Sequence, residues 1–332
     1  MDGFRLDYAQ NVPRVFWVTY RRWVKTVKPD AFIAGEIWTP ATSYLAGDAW
    51  DATMQYPFAD ALQAFFIGGS KKEITASVFA GRLRQFITIY PFQVSLNQMN
   101  LLDSHDTDRW ASRFVNADQP PPPAAPGARR PNYNTSKPTG LEWQRMEQSV
   151  AVQMTYAGAP MVYYGDEAGM WGATDPDDRQ PMIWKDQAPY DDPEVIFNQD
   201  LFDRYVRLIA IRRHFATLET GFAHTVLADD ARSLLVYSRD LGDAHVYVLV
   251  NRSATGQSIE LPVAPPDAGS AMIDWLDPAE AEVRDVSGNV ADGRPEIQAI
   301  AGAKPAVLSH HGKATVSLKP WGTMILAPAG AK

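Results

Sequence analysis

The sequence contains no cysteine, which excludes disulfide staples and thiolate metal sites while leaving the compartment open. It has no excess of positive charge: 31 Lys and Arg against 39 Asp and Glu give a formal net charge of −8. Without a basic face to neutralise phosphates, no nucleic-acid partner is expected. No apolar run approaches the ~20 residues that a membrane span needs, so no membrane partner is expected either. The first residues, Met1-Asp2-Gly3-Phe4-Arg5-Leu6-Asp7, lack both the basic start and the apolar stretch of a signal peptide. What is present, 332 residues of which 45% are apolar, suffices for one large domain and a smaller one. Tryptophan, tyrosine and phenylalanine are plentiful, which suits a large core and a sugar-stacking surface equally well.

Short apolar runs alternate with helical stretches through the first two thirds. Strands are expected at Gly3 to Asp7, Ala31 to Glu36, Trp50 to Met54, Met99 to Leu102 and Pro160 to Tyr164. Helices are expected at Pro13 to Val27, Ala59–Phe66, Lys71–Ile89, Leu141–Tyr156 and Gln199–His214. The Pro-rich segment from Asn116 to Gly140 reads as an exposed loop, and a second long loop runs from the last of these strands to about Asp192. Repeated strand–helix units imply a parallel sheet covered by helices, in a doubly wound sheet or a barrel. After about Gly221 the composition turns β-rich, with Val246, Val248 and Val250 on one face by period 2. Ser233–Ser238, His245–Asn251, Thr315–Leu318 and Thr323–Leu326 read as strands of a separate antiparallel domain.

Three of the expected strands end in carboxylates. Strand period puts Arg5 and Asp7 on one face, away from Phe4 and Leu6, so Arg5 offers Asp7 a charge partner. A desolvated Asp7 at that strand end is suited to act as a nucleophile. Glu36 closes the next apolar strand beside Ile37 and Trp38, a setting that favours a proton donor. Asp106 follows Leu101-Leu102-Asp103-Ser104-His105. In a parallel barrel, strand C-termini share the rim where active sites lie. Glycoside hydrolysis needs this arrangement: one carboxylate attacks the anomeric carbon and another protonates the leaving oxygen, about 5 Å apart in retaining enzymes. Each element alone also has a plainer reading, as a structural ion pair, a strand-end cap, or an Asp106 that caps a following helix. It is their recurrence in this order that favours chemistry.

Asp2-Gly3-Phe4-Arg5-Leu6-Asp7, Gly35-Glu36-Ile37-Trp38 and Ser104-His105-Asp106 resemble the second, third and fourth conserved regions of the α-amylase family, glycoside hydrolase family 13. Gly158-Ala159-Pro160-Met161-Val162-Tyr163-Tyr164-Gly165-Asp166-Glu167 resembles that family's eighth-strand motif, and Asp175-Pro176-Asp177-Asp178-Arg179-Gln180-Pro181-Met182 the loop after it. Asp7-Tyr8-Ala9-Gln10-Asn11-Val12, Phe16-Trp17 and Trp50-Asp51-Ala52-Thr53-Met54-Gln55-Tyr56-Pro57-Phe58 are similar to the neopullulanase, cyclomaltodextrinase and maltogenic-amylase group. The resemblance implies the C-terminal part of a (β/α)₈ TIM barrel over residues 1–220, followed by an antiparallel β-sandwich over 221–332. It implies Asp7 as nucleophile, Glu36 as acid/base and Asp106 as transition-state stabiliser, with Arg5 orienting Asp7 and His105 holding sugar hydroxyls.

Trp38, Tyr56 and Trp171 follow strand ends and are candidates to stack on glucose; Tyr56 has the alternative of packing beside Pro57 and Phe58. Arg179 would shape the substrate rim or make an internal salt bridge. Asp166 and Glu167 are expected to anchor their loop. The implied activity is retaining hydrolysis of α-1,4-glucans (maltooligosaccharides, cyclodextrins, starch and pullulan). A transglycosylase or trehalose-forming isomerase would use the same residues, and a binding-only or inactive fragment is the remaining class. The family's first conserved region has no counterpart here, so the chain is expected to be truncated at its N-terminus and inactive alone, with the activity belonging to the intact enzyme. No cofactor or metal is expected in it; a calcium site and a dimer interface would belong to the part that precedes residue 1.

Overall fold

A computed structural model describes residues 1–118, 132–264, 271–276, 281–284, 296–299, 307–310, 312–328 and 331. Five short strands run parallel: β1 (Gly3–Leu6), β2 (Phe32–Gly35), β3 (Ala52–Thr53), β4 (Met99–Leu101) and β5 (Ala159–Met161). Leu6 pairs with Gly35 and Gly35 with Thr53. A single parallel bridge from Met54 to Met99 links β3 to β4, and β4 pairs with β5. Their C-terminal ends therefore share one rim. Among the described residues β1 is an edge strand.

Helices cover this sheet: α1 (Arg14–Val27), α2 (Tyr56–Phe66), α3 (Ala76–Thr88), α4 (Phe92–Leu96), α5 (Trp110–Phe114), α6 (Leu141–Thr155), α7 (Gln199–His214) and α8 (Ala216–Thr220). Pro13, with φ −55°, starts α1, where a missing N–H costs nothing. Trp17 on α1 is buried, gives its indole N–H to Ala9 O at 2.8 Å and meets Trp50 edge-on. Asp51 ties α1 to the sheet: it takes Arg21 at 2.7 Å and Lys25 at 3.2 Å, and accepts from Ile33 N at 3.0 Å.

Several expected boundaries are corrected. The helix expected from Ala59 begins at Tyr56, because Pro57 sits in its first turn and eight of its residues are buried. The helix expected from Lys71 begins at Ala76: Asp118 holds Lys71 N in a loop, and Asp230 accepts from both the Ser77 amide and its hydroxyl at 2.7 Å. The strand expected over Pro160 to Tyr164 begins at Ala159 and stops at Met161. The short helices α4, α5 and α8 carry too few turns to show a period. Most of the Pro-rich segment, 119–131, lies outside the described residues. Asn116 at its start is buried rather than exposed, and exchanges hydrogen bonds with the backbone of Asn134 at 2.8 and 2.9 Å.

From Phe222 onward all described strands are antiparallel: β6 (Phe222–Asp229), β7 (Leu234–Leu241), β8 (Ala244–Asn251), β9 (Gln257–Pro262), β10 (Ala271–Asp274), β11 (Ala281–Arg284), β12 (Glu296–Ala299), β13 (Val307–His310), β14 (Lys313–Leu318) and β15 (Thr323–Pro328). Val246, Val248 and Val250 share one face, as expected, and join Leu235 and Tyr237 in a core that is continuous with α2, α3, α6 and α7. Leu234, Val236, Tyr247 and Leu249 point the other way and pack on Ile259, Leu261, Val316 and Leu318. Strands β7 and β8 are covered on both faces, which explains the apolar runs 234–237 and 246–250 within them.

Candidate active site

Glu36 is placed by strand β2 and by Gly35 before it. A Cβ on Gly35 would collide with the Trp50 ring, so glycine lets the strand lie flat on that indole and aims Glu36 past it. Glu36 is 7% exposed. Its Oε2 accepts from Tyr8 N at 2.8 Å and pairs with Arg5 Nη2 at 3.0 Å; its Oε1 accepts from Trp38 Nε1 at 3.3 Å. Arg5 Nη1 also bonds Asp7 Oδ1. One guanidinium thus holds Asp7 and Glu36, from the ends of two adjacent parallel strands, within the few ångströms that a nucleophile and an acid must share. Arg5 and Asp7 do lie on one face. The expected desolvation of Asp7 is corrected: its side chain is 80% exposed, because β1 is the sheet's edge and no neighbouring strand among the described residues covers it.

Tyr56 connects this pair to the third carboxylate. Its hydroxyl lies 3.0 Å from Ser104 Oγ, which accepts from Asp106 N at 3.2 Å. Burial pushes the Tyr56 phenol up, and the nearby Glu36 and Asp106 charges push it further, partly offset by the Ser104 bond and Arg5. Both carboxylates are therefore close to one hydroxyl. Tyr56 itself is buried, with Trp38 stacked on it at 3.7 Å and 8°. Trp38, 43% exposed, presents the outer face of that stack, and Tyr56 is its support.

Asp106 meets His105 Nε2 at 3.3 Å and Arg179 Nη2 at 3.4 Å. Arg179 also donates to His105 O at 3.0 Å and pairs with Asp175 at 3.4 Å, so it forms internal bridges at the rim. Trp171 stands apart from Trp38. It donates to Thr135 O at 3.1 Å and lines a cavity of about 320 Å³ with Tyr133, Thr174, Asp175 and Gln180. Thr174 joins that cavity to the site through a 3.5 Å contact with Asp106 O. The helix-capping alternative for Asp106 fails: the first amide of α5, Trp110 N, bonds Asp103 at 2.5 Å instead.

Beneath Asp106 lies a support that no local pattern announces. Arg109 is fully buried; its Nη1 donates to Tyr164 O at 2.6 Å and meets Asp166 at 3.5 Å, and its N donates to Gly172 O at 3.1 Å. Its guanidinium lies over the rings of Tyr163 and Tyr164. Gly165 makes this possible, with φ +89° and no room for a Cβ against Met170. Asp166 anchors the loop as expected, while Glu167 accepts from Gly165 N at 2.9 Å.

Sequence reasoning does not single out Tyr8 or Ser104 for these roles. Tyr8 contributes a backbone amide from a left-handed conformation, φ 49°; a non-glycine residue held there signals a functional constraint, yet side-chain identity cannot reveal it. Among the described residues no group of three or more His, Cys, Asp or Glu is placed to hold a metal, and no helix is long and apolar enough to cross a membrane.

Comparison with known proteins gives a consistent picture. Residues 1–221 match the family model for the alpha amylase catalytic domain. The chain is 36% identical to Neopullulanase 2 of Thermoactinomyces vulgaris over 83% of its own length and 40% of that protein's. It is 36% identical to the Cyclomaltodextrinase of Geobacillus thermopakistaniensis over 79% of its length and 39% of that protein's. A solved structure named Cyclomaltodextrinase superposes on 98% of the chain with TM-score 0.71 and 28% identity, using 45% of that structure. The chain spans less than half the length of these relatives.

Proposed function

We propose, from the premise that this chain belongs to the alpha-amylase family, that it carries the catalytic rim of a retaining glycoside hydrolase acting on α-1,4-linked glucans. In this reading residues 1–220 are the C-terminal part of a (β/α)₈ barrel and 221–332 a β-sandwich. Asp7 attacks the anomeric carbon, forming a glycosyl ester as the C–O bond to the leaving sugar breaks. Glu36 gives its proton to the departing oxygen. Its Oε1, engaged among the described residues by the Trp38 indole, is the oxygen that carries that proton. Glu36 then takes a proton from water, which opens the ester with net retention. Asp106 and His105 hold ring hydroxyls, and those hydrogen bonds tighten as positive charge develops. Trp38 offers a stacking face, while Trp171 and Arg179 border the neighbouring cavity. The observation that carries the reading is Arg5 holding Asp7 and Glu36 together at adjacent strand ends.

The substrate class is supported by the names of the relatives, cyclomaltodextrinase and neopullulanase. The test is NMR of the first product released from maltotriose or β-cyclodextrin by purified residues 1–332. The α-anomer should appear first, and Glu36→Gln should lower turnover by ~10²–10⁴-fold. A β-anomer would refute retention. New disaccharides in place of hydrolysis would favour the isomerase or transglycosylase. Starch binding without turnover would leave a binding module.

A further inference from the structure

Behind the proposed site, two carboxyls that no catalytic step uses face each other in the core. Asp103, just after β4, and Asp166, just after β5, are each 1% exposed and lie within hydrogen-bonding reach of one another. Asp103 Oδ2 accepts from Trp110 N, but Oδ1 is buried with no N–H or O–H directed at it. Two carboxylates cannot bond each other; a carboxyl and a carboxylate can, through one proton.

The surrounding charges leave little alternative. Just before α5, Arg109 is fully buried, and from α5 the half-buried Arg113 acts on Asp103 ahead of Arg109 while bonding Gln63. From the loop after β5 come Asp166 and Glu167, and further along it the fully buried Asp178, with Asp175 and Arg179 beyond. Tyr163 and Tyr164 lie under Arg109, and α7 adds the buried Tyr205 hydroxyl. One buried guanidinium thus faces three buried carboxyls, and burying unpaired negative charge is costly enough that protons are retained. Burial raises both Asp103 and Asp166, and the charge of Asp103 raises Asp166 further.

We infer that Asp103 and Asp166 share a single proton, and that this shared proton, together with Arg109, fastens the loop bearing Arg179 against Asp106. The two carboxyls are positioning residues. Asp103 sits three residues before Asp106, and Asp166 roots the loop whose Gly172 and Tyr164 carbonyls Arg109 grips. Loss of the proton sets two buried negative charges against each other, and the loop moves off. The inference rests on the hydrolase reading only in giving Asp106 a function.

Difference infrared spectroscopy of the full chain against Asp103→Asn and against Asp166→Asn, at about pH 7, should show a protonated-carboxyl band in the wild type that either single substitution removes. Hydrogen exchange of peptides within 165–180, corrected for intrinsic rate, should rise by about tenfold or more as alkali removes the band. With Asp178→Asn present in every protein compared, since that carboxyl also titrates near 7, each single Asn variant has no buried proton left to lose and should keep its loop protected at the same pH. Absence of the band in the wild type overturns the shared proton. Equal alkaline loosening in the wild type and a single variant overturns the clamp. Either variant suffices if the other fails to fold, because the difference it gives separates the shared proton from that of Asp178. Neither readout depends on turnover, so an inactive chain would sink the hydrolase reading and leave this one standing.

Discussion

The two sides of the rim offer the same chemistry on unlike foundations. On the β1 side, Asp7 is 80% exposed and is held by Arg5, a guanidinium that is itself 31% exposed. On the β4–β5 side, Asp106 lies three residues from both Asp103 and Arg109, and Arg109, Asp103, Asp166 and Asp178 are none more than 1% exposed. Arg5 pairs with Asp7 and Arg109 with Asp166, while Asp106 itself is met by the more exposed Arg179. At the edge strand the bond to Asp7 lies in water, where an ion pair contributes under about 1 kcal/mol, although the same guanidinium also meets the buried Glu36. Inside the core, removal of the cation strands charge that cannot be resolvated. Position in the sheet, not residue type, decides whether an arginine governs stability or only orientation.

Arg109→Met should break the contrast most severely. Leaving the buried carboxyls without their cation is expected to cost about 3–5 kcal/mol, read as a lower urea midpoint. Arg5→Ala should lower that midpoint by less than Arg109→Met does, since Asp7 is in water and Glu36 keeps its bonds from Tyr8 N and Trp38, yet lower turnover about a hundredfold through a misplaced Asp7; equal stability losses for the two variants would erase the distinction. Asp178 sharpens it through pH. Burial pushes its carboxyl up to about 7 from a reference of 3.8, so the uncharged form suits the fold. The stability tied to that proton is complete below about pH 4 and is lost as pH rises through about 7. Asp178→Asn should therefore melt above the wild type at about pH 8 and close to it at about pH 4. The smallest effect belongs to the exposed stack: Trp38→Ala should weaken maltooligosaccharide binding about tenfold, from loss of one aromatic face, while the urea midpoint stays near the wild-type value.

Much of this is legible in the residues. Apolar runs closed by Asp7, Glu36 and Asp106 mark strand ends, the valines of β8 alternate by period 2, and proline and glycine punctuate the long loops. These are local signals, carried within a few residues by backbone geometry. The helix start at Ala76 is not legible, because Asp118 and Asp230, remote in sequence, hold the amides that set it; the start at Tyr56 carries a local mark in Pro57. Nor is Tyr56 legible as a support, since only the fold lays Trp38 over it.

The sequence by itself determined which side chains could carry the chemistry and which face of each strand they occupy, because strand period and covalent order need no partner. Tertiary structure alone decided how each is solvated. Asp7 lies in water because no strand among the described residues covers β1, and Asp103 meets Asp166 because β4 pairs with β5. Burial and charge proximity are properties of the assembled neighbours, and these arise from segments far apart along the chain.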